Sequence, residues 1–438
     1  MKRVKSLIWV LGLVVGWFVP AVVLAQMVIT IDKSPVSAEP IAIVPFAWRG
    51  PSSVAPEGLD VIIATDLANS GRFAPLDRLP AAPSKESDIR WEDWKRLQIP
   101  NIVIGSFVQK TPSGPGARYE VEFHLFDVLK RERIIAERDV VRHGDLRKAA
   151  HQVADKIYEA LTGERGAFAT RIAYVTETSD LSGARTYALS IADSDGFNAF
   201  PVLQSQFPIM SPAWSRDGRR LAYVSFEGNR PAIFAQDLSA GTRKKVTSFP
   251  GINGAPAWSP DDSRLAVTLS KDGNPEIYTV HLASGILRRV TQNLAIDTEP
   301  AWAPDGRSLV FTSDRGGQPQ LYRIPVDGGR AQRITLQGTY NARAAFTPNG
   351  KHIAMVHGDR GVYRIGLLEL ATGELEVLTS SRLDESPTVS PNGRMILYAT
   401  TTGSEATLAA VAIDGSVRQR IGLDESRVRD PAWSPFLR

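Results

Sequence analysis

The sequence predicts a mixed α/β N-terminal domain followed by an all-β C-terminal domain, a six-bladed β-propeller. Three observations carry this reading. A short phrase recurs about every 44 residues, the length of one four-stranded blade. The array opens on a unit without its first strand and ends on a first strand alone. Ahead of it, residues 26–165 have another texture, with buried strand-like runs alternating with helical stripes.

The chain begins with a secretory leader, residues 1–25. Lys2, Arg3 and Lys5 precede an apolar core at residues 7–19, and Val23-Leu24-Ala25 is a small-residue cleavage site. Gly12, Gly16 and Pro20 interrupt the apolar run, which falls short of the roughly 20 residues a retained span needs. The mature chain is expected to start at Gln26 with no transmembrane span. Its formal charge drops from +4 to +1 once those three leader cations are gone. A nucleic-acid surface would need a clustered basic face, and none is seen. Cysteine is absent, which removes thiol catalysis and thiolate metal sites and leaves stability to core burial.

Within the N-terminal domain, Ile41-Ala42-Ile43-Val44-Pro45-Phe46 reads as a buried strand. Residues 57–70 read as a helix stopped by Gly71, and residues 91–97 as a second helical piece before Pro100. A strand at 102–108 and a hairpin at 119–128 and 133–141 follow. Leu146, Ala150, Val153, Ile157 and Leu161 then form one apolar helical stripe ending before Gly163. The helices are expected on one face of a sheet. Residues 162–169, rich in glycine and charge, mark the boundary, with the propeller taken as 166–438.

The clearest repeats are Pro212-Ala213-Trp214, Pro256-Ala257-Trp258 and Pro300-Ala301-Trp302, each followed by a turn such as Pro304-Asp305-Gly306. Weaker copies hold Ala345-Phe346 and Thr388-Val389, and Pro431-Ala432-Trp433 comes last. The second copy has Asp261-Asp262 where Asp-Gly is expected. Proline is assigned to the start of the innermost strand, and tryptophan to the gap between blades. Arg171-Ile172-Ala173-Tyr174-Val175, Tyr187 to Ala192 and Val202-Leu203 match the second, third and fourth strands of a blade without a first. The terminal Trp433 strand is therefore expected to complete it and remove both free edges.

These phrases, together with the 41–46 strand, the stretch Ala64-Thr65-Asp66-Leu67-Ala68-Asn69-Ser70-Gly71-Arg72-Phe73, residues 119–127 and the join at 161–175, resemble the TolB family over essentially the whole mature chain. The resemblance implies a periplasmic, non-enzymatic adaptor of the Tol–Pal envelope system. Such an adaptor links the lipoprotein Pal to inner-membrane TolA, serves outer-membrane integrity and invagination at division, and is exploited by colicins and phages. By position, the TolA-facing segment is Gln26, Met27, Val28, Ile29, Thr30, Ile31, Asp32 and Lys33, running on to about Ser37. Its alternation suits addition to a partner's sheet edge, although it also reads as a frayed terminus or as a first strand of its own domain.

The Pal-facing surface is expected on the loops entering each innermost strand. These carry Ile209, Met210, Ile252, Asn253, Gly254, Ala255, Asp297, Thr298, Glu299, Asn341, Arg343, Glu385 and Arg429. Their mixture of apolar, amide and charged groups suits a non-obligate interface. Asp297 and Glu299 are acidic neighbours at the same mouth, read as hydrated residues and not as a cation site. Two rival readings are a propeller related to serine peptidases and a small-ligand-binding propeller. The first requires a Gly-x-Ser-x-Gly elbow, and none is found; nor is a Walker loop or a His-Glu-x-x-His motif. The six histidines, His124, His143, His151, His281, His352 and His357, are scattered and read as structural. No cofactor or metal is expected.

Overall fold

A computed structural model of the chain describes residues 29–30, 38–51, 55, 57–111, 116–180, 182–403, 405–423 and 427–437. The leader and most of the 26–33 segment lie outside them.

In the N-terminal domain the sheet runs, in space, Phe73–Pro75, Glu39–Ile43, Asn101–Gln109, Arg118–Asp127 and Glu132–Arg142, with the short strand Ala47–Trp48 also on the central strand. The first three strands are parallel and the last two antiparallel. Parallel pairing demands crossovers, which helices α1 (Leu59–Asn69) and α2 (Trp91–Arg96) supply. One sheet face buries Ile41, Val103, Val121 and Phe123 against Leu59, Ile63 and Leu67 of α1 and Leu146, Ala150 and Ile157 of α3 (Leu146–Thr162). The opposite face buries Ala42, Ile102, Ile104 and Phe126 under Trp94 of α2. The expectation of helices on one face is thereby corrected. The central strand is apolar on both sides, and its second face needs a cover of its own. Helix α3 stops at Gly163 in the left-handed conformation (φ 75°), whose N–H donates to Glu159 O.

Six four-stranded antiparallel sheets form the propeller. Blade 1 joins Val428–Trp433, innermost, to Arg171–Ser179, with Trp433 opposite Ile172, as the complementary ends require. The other innermost strands are Ile209–Trp214, Asn253–Trp258, Asp297–Trp302, Tyr340–Phe346 and Asp384–Val389, belonging to blades 2 to 6. Tryptophan staples blades 2, 3 and 4 each to its predecessor. The indole N–H groups of Trp258 and Trp302 donate to Ala213 O and Ala257 O at 3.0 and 3.1 Å, and that of Trp214 to Ala432 O across the closure. Trp433 donates to Thr170 Oγ1 in the linker at 2.8 Å.

Proline does not open these strands. It sits inside them, at a register break such as that between Met210 and Ala213. A bulge interrupts the ladder there, so the missing N–H costs no bond. Asp262 also has a physical reason. It takes the left-handed turn position (φ 59°), and its carboxylate accepts the N–H groups of Arg216 and Asp217 in blade 2 at 2.6 and 2.9 Å.

The N-terminal domain rests on the propeller end where tryptophan emerges. Arg394 pairs with Glu164, and Asn392 donates to Arg165 O. Gly71 lies so close to blade 6 that a Cβ would sit 2.5 Å from Val417. Asp155 on α3 accepts the N–H groups of Phe168 and Ala169, and burial still pushes its carboxyl up to about 6. His151 on α3 contacts Asp66 of α1 and Asp195 of blade 1. Burial alone would lower the His151 pKa, but the Asp66 carboxylate overrides it and lifts it to about 9.

The segment Ile29–Thr30 forms no strand of its own domain. It pairs antiparallel with the outer strand of blade 6, Arg418–Arg420, as a fifth strand, with Ile29 opposite Gln419.

Deleting residues 428–438 strips blade 1 of its innermost strand and exposes the edge of Arg171–Ser179. The expected outcome is a melting temperature lower by on the order of 10 °C and self-association, read by calorimetry and light scattering. A monomer of unchanged stability would show that closure does not hold the ring.

Candidate docking surface

Each innermost strand begins at the end of the propeller opposite the N-terminal domain, and each bends there in the same way. The bulge holds one non-glycine residue in the left-handed region: Ser211, Ala255, Glu299, Arg343, Ser386 and Asp430, with φ between 46° and 54°. Six such residues at one repeat position make a ring around the channel mouth. Left-handed backbone is unfavourable for these residue types and persists where the surrounding ladder imposes it.

One side of the ring is tied together by charge. Arg343 Nε lies 2.9 Å from Glu299 Oε1, and its Nη1 lies 2.9 Å from Asp430 Oδ1 and also contacts Ser386 Oγ. Thr312 Oγ1 donates to the other Glu299 oxygen. Burial alone would raise the Asp430 carboxyl, yet Arg343 beside it holds it below the ordinary carboxylate range. The same two carboxylates keep the Arg343 guanidinium charged against its own desolvation. The other side is small and open. Met210, Ile252, Gly254 and Ala255 border a cavity of about 490 Å³ that Glu299 and Arg343 close from across the mouth.

The sequence-predicted residues separate into layers. Ile209, Asn253, Asp297 and Asn341 stand two residues before the bulge and are buried. They anchor the innermost strands and leave the rim to others. Asn253 accepts Phe249 N–H and donates back to Phe249 O; Asn341 donates to Gln320 Oε1 and Gln337 O. Asp297 Oδ2 binds Arg315 at 2.6 Å, and Glu299 is bound by Arg343, so neither is the hydrated residue expected. These residues also belong to the innermost strands and not to loops before them. Glu385 is exposed, while Thr298 and Arg429 are half-buried. Arg429 pairs with Glu177 beneath the rim. Of the N-terminal segment, Ile29 and Thr30 lie on blade 6, remote from this ring in the fold; Gln26, Met27, Val28, Ile31, Asp32 and Lys33 lie outside the described residues.

Of the outer rim, sequence reasoning named Ile252 and missed the rest. The connectors into the innermost strands of blades 2 to 6 each carry a large exposed apolar residue: Phe207, Ile252, Leu294 with Ile296, Leu336 and Leu383. Leu294 is 99% exposed. The available signal was a large apolar residue in each of five short connectors, at Ile252, Ile296 and Leu383 three residues before the bulge. Single exposed apolar residues are ordinary, but a set confined to one face of a ring marks a contact surface.

Two family models match the chain, the TolB amino-terminal domain over residues 27–134 and the TolB beta propeller domain over residues 158–437. The Tol-Pal system protein TolB of Nitrosococcus oceani is 60% identical over 98% of this chain and 98% of its own length. That of Hydrogenovibrio crunogenus is 51% identical over 99% of both. The crystal structure of TolB from Acinetobacter baumannii superposes with a TM-score of 0.85 at 43% identity, covering 94% of this chain and all of that one. With two-domain order, closed six-bladed ring and near full-length relatives in agreement, the chain belongs to the TolB family of the Tol–Pal system.

Proposed function

We propose that the chain is a periplasmic adaptor that docks the lipoprotein Pal on the bulge mouth and offers its N-terminal segment to TolA. The observation that carries the reading is the apolar rim around a half-charged, half-open mouth, on the propeller end that the N-terminal domain leaves clear. Such a surface has an apolar outer ring, buried charge fixed in advance and a cavity to receive a protruding side chain, which together suit a specific partner that associates and departs. Preformed ion pairs help here because Arg343, Glu299 and Asp430 meet the partner already oriented and lose little freedom on binding.

The N-terminal segment has a separate logic. Ile29 and Thr30 pair their backbone with the edge strand Arg418–Arg420, and the same groups can pair with a sheet edge of TolA. The two pairings use one strand and exclude each other. No helix among the described residues is long and apolar enough to cross a membrane. The leader at residues 1–25 supports export to the periplasm.

Two outcomes are expected. Ala255→Arg keeps the backbone conformation but fills the open half of the mouth, and should weaken Pal binding at least about tenfold by calorimetry. Unchanged affinity would place Pal on another face. Deleting residues 26–33 should weaken TolA capture in a pull-down while Pal affinity stays within about twofold; undiminished TolA binding would remove that role from the segment.

A further inference from the structure

The junction between the domains holds a cluster that neither the docking surface nor the N-terminal segment uses. His151 on α3 is 1% exposed. Its Nδ1 lies 2.7 Å from Asp66 Oδ2 on the neighbouring helix, while its Nε2 makes no hydrogen bond. That second nitrogen is aimed at the outer hairpin of blade 1, 3.5 Å from Asp195 Oδ2. One ring nitrogen of His151 and one oxygen each from Asp193 and Asp195 lie within 4.8 Å of one another. A cleft of about 410 Å³ reaches the cluster from solvent, bordered by Lys148, His151, Arg171 and Asp193.

The chemistry of these groups is that of a metal site. A carboxylate on Nδ1 fixes the ring orientation and tautomer of a ligating histidine, leaving Nε2 to bind. Asp66 stands in that position. Three carboxylates here face the Arg147 guanidinium, which pairs with Asp195 Oδ2 and stacks 3.8 Å over Phe197, while Lys148 and Arg171 stand on the border of the cleft. A divalent cation that displaces the His151 proton would offset the negative charge these carboxylates leave around Arg147. The carboxylates retain capacity: Asp193 receives one hydrogen bond, from Asn198 Nδ2 at 2.6 Å, and Asp195 Oδ1 receives the Phe197 N–H.

We propose that His151, Asp193 and Asp195 form a divalent transition-metal site of zinc type that clamps α3 to blade 1, with Asp66 as a positioning residue. One imidazole, two carboxylates and a water complete four-coordination, and an imidazole ligand favours zinc over calcium or magnesium. The proton on Nε2 is replaced by the cation and leaves to solvent.

The test is calorimetric titration of the chelator-stripped, untagged full chain with zinc chloride, with metal analysis after dialysis. One zinc per chain is expected, at micromolar affinity or tighter. His151→Gln and Asp195→Asn should each weaken binding by more than about tenfold, and Asp66→Asn by about 10- to 100-fold with the stoichiometry kept. Asp193 is half-buried, so Asp193→Asn serves if the buried variants fail to fold; it too should lose about tenfold. EDTA should lower the melting temperature of the zinc-loaded parent chain and lower that of Asp193→Asn by less. Absence of binding at about 100 μM zinc, or stoichiometric binding undiminished in Asp193→Asn, would overturn the assignment.

Discussion

One pairing governs the molecule: Trp433 against Ile172, joining the last strand to the first one after the linker. Without it blade 1 is a three-stranded sheet with an open inner edge, and Asp430, carried on the same strand, is not held in the mouth. The pairing also sets the junction between domains. The Trp433 indole holds Thr170, and the linker runs from there to Phe168 and Ala169, whose N–H groups Asp155 of α3 collects. Ring closure and domain placement are therefore one event.

The two ends of the propeller divide the labour. Turns at the tryptophan end receive the N-terminal domain through Asn392, Arg394 and Asp195. The bulge end holds the preformed charges and the apolar rim. This division follows from strand direction. Every innermost strand runs from bulge to the tryptophan position, held by Phe346 and Val389 in blades 5 and 6, so one repeated irregularity always falls on the same side.

The ring, its blade count and its closure were legible in the sequence, because a fixed period and complementary end fragments are one-dimensional signals. The left-handed bulge was not. Pro212 and its equivalents read as strand openings, and nothing in residue type alone shows that two more ladder residues precede them. Burial of Asn253, Asp297 and Asn341 was hidden for a related reason. Short polar residues look like rim residues until their partners, such as Gln320 of a neighbouring strand and Arg315 of a turn, are seen. The covered second sheet face escaped because α2 is only six residues long, too short to show a stripe. Contacts between domains leave no spacing signal at all, which is why His151 read as an isolated residue beside Asp66 and Asp195.

The uneven composition of the bulge ring has a geometric consequence. A perfect sixfold socket would accept a visitor in six equivalent rotational settings and would discriminate among none. Here Glu299, Arg343, Ser386 and Asp430 occupy one arc, and Ser211 and Ala255 the other. The near-symmetry inherited from repetition is thus reduced to a single keyed orientation. A guest seated in that keyway would be held at one fixed azimuth relative to blade 6, where the strand Ile29–Thr30 is lodged.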